Sequence, residues 1–163
     1  MDVRKVLEYA LEREREGYAF FSNHAASAKH AAVAGVFRKL AAEEKAHIHY
    51  VEALIANLAG GGAPAEEPAL DDQQRSFFSD RAASEMIEQT TVEAMVPDLP
   101  VLRMAFLIER DLAEFYAGCA PQATGATREA LQKLAAWERE HEKLFKSLHD
   151  RAFAEYADMP WGG

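Results

Sequence analysis

One cysteine, Cys119, is all that the 163-residue chain contains. A lone cysteine rules out an internal disulfide and any metal site built from several thiolates, and it fits a reducing cytoplasm. Long apolar runs are missing too, since no stretch approaches the roughly 20 residues that a membrane-spanning helix needs. The opening residues, MDVRKVLEYALERERE, are charged from the start and form no apolar h-region, so a secretory signal is not expected. Positive charge is in deficit: 18 Lys and Arg stand against 27 Asp and Glu, a net charge of −9. Such a chain is badly matched to a phosphate backbone, which argues against a nucleic-acid partner. No segment alternates with period two for long enough to predict a strand.

What is present is helical periodicity in a globular composition, 49% hydrophobic. Four long helices are expected, over about 3–28, 31–59, 99–120 and 127–156. In the first, Val3, Val6, Leu7, Ala10, Leu11, Glu14, Gly17, Tyr18 and Phe21 share one stripe, and Asp2 is placed to cap its start. In the second the stripe runs through Val33, Val36, Phe37, Leu40, Glu44, His47, Val51, Leu54, Ile55 and Leu58. Three glycines and a proline in AGGGAP (59–64) end it. Asp98 as a cap and Pro100 in the first turn mark the start of the third, which stops at Pro121. The connection over about 60–98 is predicted to hold a loop and one or two short helices.

Short connections make the first and second helices antiparallel neighbours, and likewise the third and fourth. The long connection can travel the length of a bundle, since a 28-residue helix is roughly 42 Å long. The expected architecture is all-α, a single ferritin-like four-helix bundle over 1–163, with two antiparallel helical hairpins joined by a long crossover. The hairpins resemble each other in sequence. EREGYAFF from Glu14 aligns with ERDLAEFY from Glu109, and LAAEEKAH from Leu40 aligns with LAAWEREH from Leu134. The offsets, 95 and 94 positions, are those of a duplicated hairpin.

The duplicated segments carry the chemistry. Glu44 and His47 lie at i and i+3 on the apolar stripe, and Glu138 and His141 repeat the spacing, with Leu134 and Phe145 a turn to either side. Glu14 falls among Ala10, Leu11 and Tyr18, and Glu109 among Met104, Ala105, Leu112 and Tyr116. Each helix thus turns a carboxylate toward its apolar face. Four buried carboxylates repel one another and each is costly unpaired, so a neutralising charge is required, and two divalent cations supply it. Oxygen and imidazole ligands suit iron or manganese, and zinc can also bind. Glu44 and Glu138 are assigned as the bridging pair, Glu14 and Glu109 as terminal ligands, and His47 and His141 as one imidazole per metal. A bundle with unrelated surface Glu–His pairs is the competing reading. A single Glu-x-x-His has no weight against it; the repeat of Glu, Glu-x-x-His and inward register does.

With these motifs the chain resembles the rubrerythrin and bacterioferritin group of ferritin-like proteins. The resemblance rests on Glu14 with Phe20-Phe21, Glu44-Lys-Ala-His47, Glu109 with Phe115-Tyr116, and Glu138-Arg-Glu-His141. It implies two iron ions that react with dioxygen or hydrogen peroxide, in a peroxidase, a ferroxidase or an iron store. It also implies the same six residues, Glu14, Glu44, His47, Glu109, Glu138 and His141, as metal-binding and catalytic. Two departures stand out. Rubrerythrins typically carry an extra carboxylate one turn past the third-helix Glu, where this chain has Leu112, with Gly17 at the matching place on the first helix. The ligand set is therefore closer to the symmetric bacterioferritin type. Many rubrerythrins also carry a rubredoxin domain with two Cys-x-x-Cys pairs, which one cysteine cannot build. A separate electron-donor protein is expected, as is a homodimer.

Other residues are read as structural. His49 sits about 200° around the helix from His47 and is expected at the surface. His24, His30 and His149 lack inward partners. Glu43, Glu140 and Glu142 are expected on a solvated face. Tyr18 and Tyr116 are expected in the core, with a hydrogen bond to a ligand or a radical-quenching role as the alternative. Met86, Met95 and Met104 are taken as core filler, and Cys119 as a small buried hydrophobe.

Overall fold

A computed structural model describes residues 2–28, 31–58, 60 and 96–159. Four helices account for nearly all of them: α1 (Val3–Ser27), α2 (Ala31–Leu58), α3 (Leu99–Cys119) and α4 (Gly125–Asp158). The Asp2 carboxylate accepts the Lys5 backbone N–H at 3.4 Å and caps α1, as expected. Asp98 precedes α3 with Pro100 in the first turn, but its side chain makes no capping bond. Short 3₁₀ turns at Val96–Asp98 and Ala120–Gln122 lead into and out of α3. Gly125 takes φ +55°, where a side chain would be strained, and this turns the chain into α4 two residues earlier than expected. The expected short helices of the crossover, with Met86, Met95 and His30, lie outside the described residues.

The helices form an all-α ferritin-like four-helix bundle. α1 packs along α2 and α3 along α4, each pair an antiparallel hairpin. The core divides into two apolar clusters. One is built on Phe21, Phe37, Leu40, Leu102, Ala105, Phe145 and Leu148. Phe145 stacks on Phe21 at 5.2 Å between ring centroids. The other is built on Leu7, Ala10, Val51, Leu112, Tyr116, Leu131 and Leu134. Each helix supplies residues to both, so one register of apolar positions runs the length of the bundle, interrupted by a polar layer. Three residues expected on an apolar face depart from the expectation: Met104 is 52% exposed, Leu58 43% and Tyr18 37%. Tyr18 lies at the edge of the apolar arc of α1 and Leu58 in the last turn of α2, whereas Met104, about 100° around the helix from Ala105, falls outside the arc of α3.

Candidate metal centre

The polar layer consists of the six residues singled out by the repeat. Glu14, Glu44, His47 and Glu138 have no exposed surface, Glu109 has 1% and His141 5%. Each stands where its helix's apolar stripe continues above and below it, so packing of the stripe forces the carboxylates inward. Atoms of Glu44, Glu109, Glu138 and His141 converge within 4.8 Å of one another, and so do atoms of Glu14, Glu44 and His47. Glu44 belongs to both groups.

The oxygens of the two central carboxylates divide between the imidazoles. Glu138 Oε1 lies 3.1 Å from His47 Nδ1, and its Oε2 lies 3.3 Å from His141 Nδ1. Glu44 Oε1 lies 3.2 Å from His141 Nδ1 and its Oε2 3.8 Å from His47 Nδ1. The outer carboxylates each face one imidazole: Glu14 Oε2 is 3.3 Å from His47 Nδ1, and Glu109 Oε2 is 3.7 Å from His141 Nδ1. The two rings face each other with centroids 5.5 Å apart.

These contacts are close, yet they are not aligned as hydrogen bonds. Glu14 Oε2, both oxygens of Glu44, Glu109 and Glu138, and Nδ1 of both histidines are buried without a hydrogen-bond partner. So many converging donor atoms left unsatisfied in a dry core fit a set of metal ligands, because a buried polar atom without a partner is otherwise costly. The chemistry of the set, four carboxylates and two imidazoles, fits two divalent cations.

Without metal, protons balance the charge. Burial, reinforced by the charge of Glu138, pushes the Glu14 carboxyl up to about 8. Burial and the Glu44 charge hold Glu109 well above the usual carboxylate range. Burial also works against ionisation of Glu44 and Glu138, but in both the imidazoles outweigh it and the carboxylates stay below their usual value. Burial disfavours the charged imidazoles, yet the surrounding carboxylates win and both histidines are raised well above their usual value. The two imidazoles are thereby drawn toward the charged form beside Glu44 and Glu138, and the two outer carboxyls toward the neutral form.

Two residues expected elsewhere are part of the surroundings. Glu43 was expected in solvent; instead it is buried, with Oε2 at 2.8 Å from His141 Nε2. A helix in a four-helix bundle meets two neighbours, and the direction about 100° from Glu44 points at α4 rather than at water. Tyr116 is buried and its hydroxyl donates to Glu14 Oε1. The hydrogen-bonded alternative for Tyr116 thus holds, whereas Tyr18 lies at the surface. A carboxylate directly before a buried Glu-x-x-His was the signal available for Glu43. Of the remaining assignments, those of His49, Glu140 and Glu142 agree with the fold: His49 and Glu140 are exposed and Glu142 is partly so. Cys119, expected buried, is only half-buried, with burial pushing its thiol up. His24 and His149 are half-buried against Phe20 and Phe106. His24, expected without an inward partner, has its ring centroid 5.9 Å from that of the core residue Phe37.

Gly17 lies against the site. A Cβ there would stand 3.3 Å from Glu44 Oε2, so the missing side chain leaves room for that carboxylate. No described helix is long and apolar enough to cross a membrane.

Comparison with curated proteins and with solved structures finds no match. The family model described as Rubrerythrin matches residues 5–95, more than half of the chain. That stretch contains α2 and all but the first two residues of α1, with Glu14, Glu44 and His47; the other hairpin lies beyond it and enters the site through the fold alone. The N-terminal motifs, the bundle and the buried Glu–His layer agree, and the chain belongs to the rubrerythrin family.

Proposed function

We propose that the chain is a di-iron carboxylate oxidoreductase that reduces hydrogen peroxide, or oxidises Fe(II) with dioxygen or peroxide, at the centre of the bundle. The observation that carries this reading is the layer of orphaned donor atoms from Glu14, Glu44, His47, Glu109, Glu138 and His141. Glu44 and Glu138, each with one oxygen toward each histidine, would be shared between two metals. Glu14 and His47 would hold one of them, and Glu109 and His141 the other. Two ferrous ions supply the two electrons that reduction of peroxide to two waters consumes, along with two protons.

The chain's own residues prepare the site. Tyr116 holds Oε1 of Glu14, which leaves Oε2 turned toward His47. The apolar clusters on both sides keep bulk water from the layer, which strengthens every charge interaction within it. The electron donor is proposed to be a separate protein.

Anaerobic loading with Fe(II), followed by rapid mixing with peroxide and separately with dioxygen, tests the proposal. Two irons per chain and oxidation by at least one of the two are expected. Oxidation faster with peroxide identifies peroxide reduction; oxidation faster with dioxygen identifies Fe(II) oxidation. Two bound irons that neither oxidant touches would end the redox reading. A large assembly with many irons per chain would replace it with iron storage.

A further inference from the structure

The hairpins repeat at an offset of 94 in their second helices, so Glu44 corresponds to Glu138 and His47 to His141. By the same offset Glu43 corresponds to Trp137. This pair breaks the symmetry around the two imidazoles. Behind His141, the Glu43 carboxylate accepts from Nε2–H at 2.8 Å. Over the face of His47, the Trp137 ring lies nearly parallel, 5.1 Å between centroids and 11° between planes. His47 Nε2 is buried and has no hydrogen-bond partner.

We infer that Glu43 and Trp137 make the two metal positions unequal, so that the position of His141 and Glu109 fills first and holds its ion more tightly than that of His47 and Glu14. The inference rests on the di-metal reading. Glu43 is a positioning residue. A carboxylate can only accept, so it keeps the hydrogen on Nε2 of His141 and leaves Nδ1 as the ligand atom. It also fixes the plane of the ring and raises the donor strength of Nδ1. Trp137 fixes the plane of His47 by stacking but offers no acceptor. The His47 ring must bury an N–H without a partner whenever its Nδ1 binds metal, which costs that position affinity. Outer carboxylate partners of ligand histidines are typically worth ~10–100-fold in metal affinity. The centre therefore combines one firmly held ion with one exchangeable ion.

The test is titration of the metal-free full chain with Co(II), followed by d–d absorption and by the paramagnetically shifted proton spectrum. The wild type is expected to bind two ions in two steps separated by ~10–100-fold. At one equivalent a single shifted imidazole N–H, protected from exchange by Glu43, should appear. Glu43→Ala should weaken the first step by that factor, leave the second in place and abolish the protected signal. Glu43→Gln, which can still accept from Nε2–H, should restore the signal and part of the affinity, and it guards against a failure of the alanine variant to fold. Trp137→Phe should change neither step.

Two indistinguishable Co(II) steps in the wild type would overturn the inference. So would Glu43 variants that fold normally and weaken both steps equally, or neither. A total other than two Co(II) per chain would instead overturn the di-metal reading on which it stands.

Discussion

Loading the centre with metal should expel protons, and the structure sets their number. In the metal-free site at pH 7, Glu14, raised to about 8, carries a proton, and Glu109, raised well above its usual value, is taken to carry one as well. His47 and His141, raised in the same way, are charged, while Glu44 and Glu138 are ionised. Metal ligation requires ionised carboxylates and a free Nδ1 on each imidazole. One proton must therefore leave each of Glu14, Glu109, His47 and His141, four in all for two ions. Charge is neutral on both sides of the exchange, since two divalent cations replace four protons. The apparent constant for binding both metals should then rise about 10⁴-fold per pH unit near neutrality, or about 100-fold per metal. Above pH 8 the slope should fall toward three protons as Glu14 ionises first. Calorimetric titration with Co(II) or Zn(II) in two buffers of different ionisation enthalpy reads the released protons directly. Release of fewer than two would refute the reasoning, because it would mean that the carboxyls are ionised and the imidazoles neutral before metal arrives.

The same raised groups make the metal-free protein sensitive to alkali. A carboxyl with a raised folded value contributes stability that is complete below its unfolded value, 4.5 here, and is lost as pH rises through the folded value. Denaturation of the metal-free chain should show stability falling by about 1.4 kcal/mol per pH unit for each retained proton between pH 5 and 8, and the slope should flatten once metal is bound. Replacing Glu44 and Glu138 together by alanine should reduce the metal content measured by elemental analysis to near zero. Content unchanged from wild type would return the site to a structural role. Gly17→Ala should weaken metal binding, because its Cβ would press on Glu44 Oε2, while altering the stability of the metal-free fold by no more than about 1 kcal/mol. Phe145→Ala, which removes a fully buried ring stacked on Phe21, should cost about 3–5 kcal/mol in chemical denaturation.

Helix positions and the inward register of the six ligating candidates were legible in the sequence, since both follow from local rules. Apolar spacing near 3.6 residues marks the faces of α1 to α4, and Gly, Pro and cap residues mark their ends to within two residues. Glu14 and Glu109 could be placed inward because the same stripe carries Leu7, Ala10, Leu102 and Ala105 to the core. Tyr18 lies on its stripe too and nevertheless reaches the surface, since a stripe gives a direction and not the width of its cover.

Sequence by itself thus determined four amphipathic helices, the doubling of the hairpin and the presence of one carboxylate per helix with two histidines, all consequences of helical period. Tertiary structure alone decided the rest. It decided that the oxygens of Glu44 and Glu138 divide between the two imidazoles, that Glu43 lies buried behind His141, and that Trp137, at the matching sequence position, stacks on the ring of His47 instead. The physical reason is that a helix in a bundle has two packed neighbours. Which of them covers the flank of the apolar stripe depends on how the hairpins dock, across some 98 positions of sequence between Glu43 and His141.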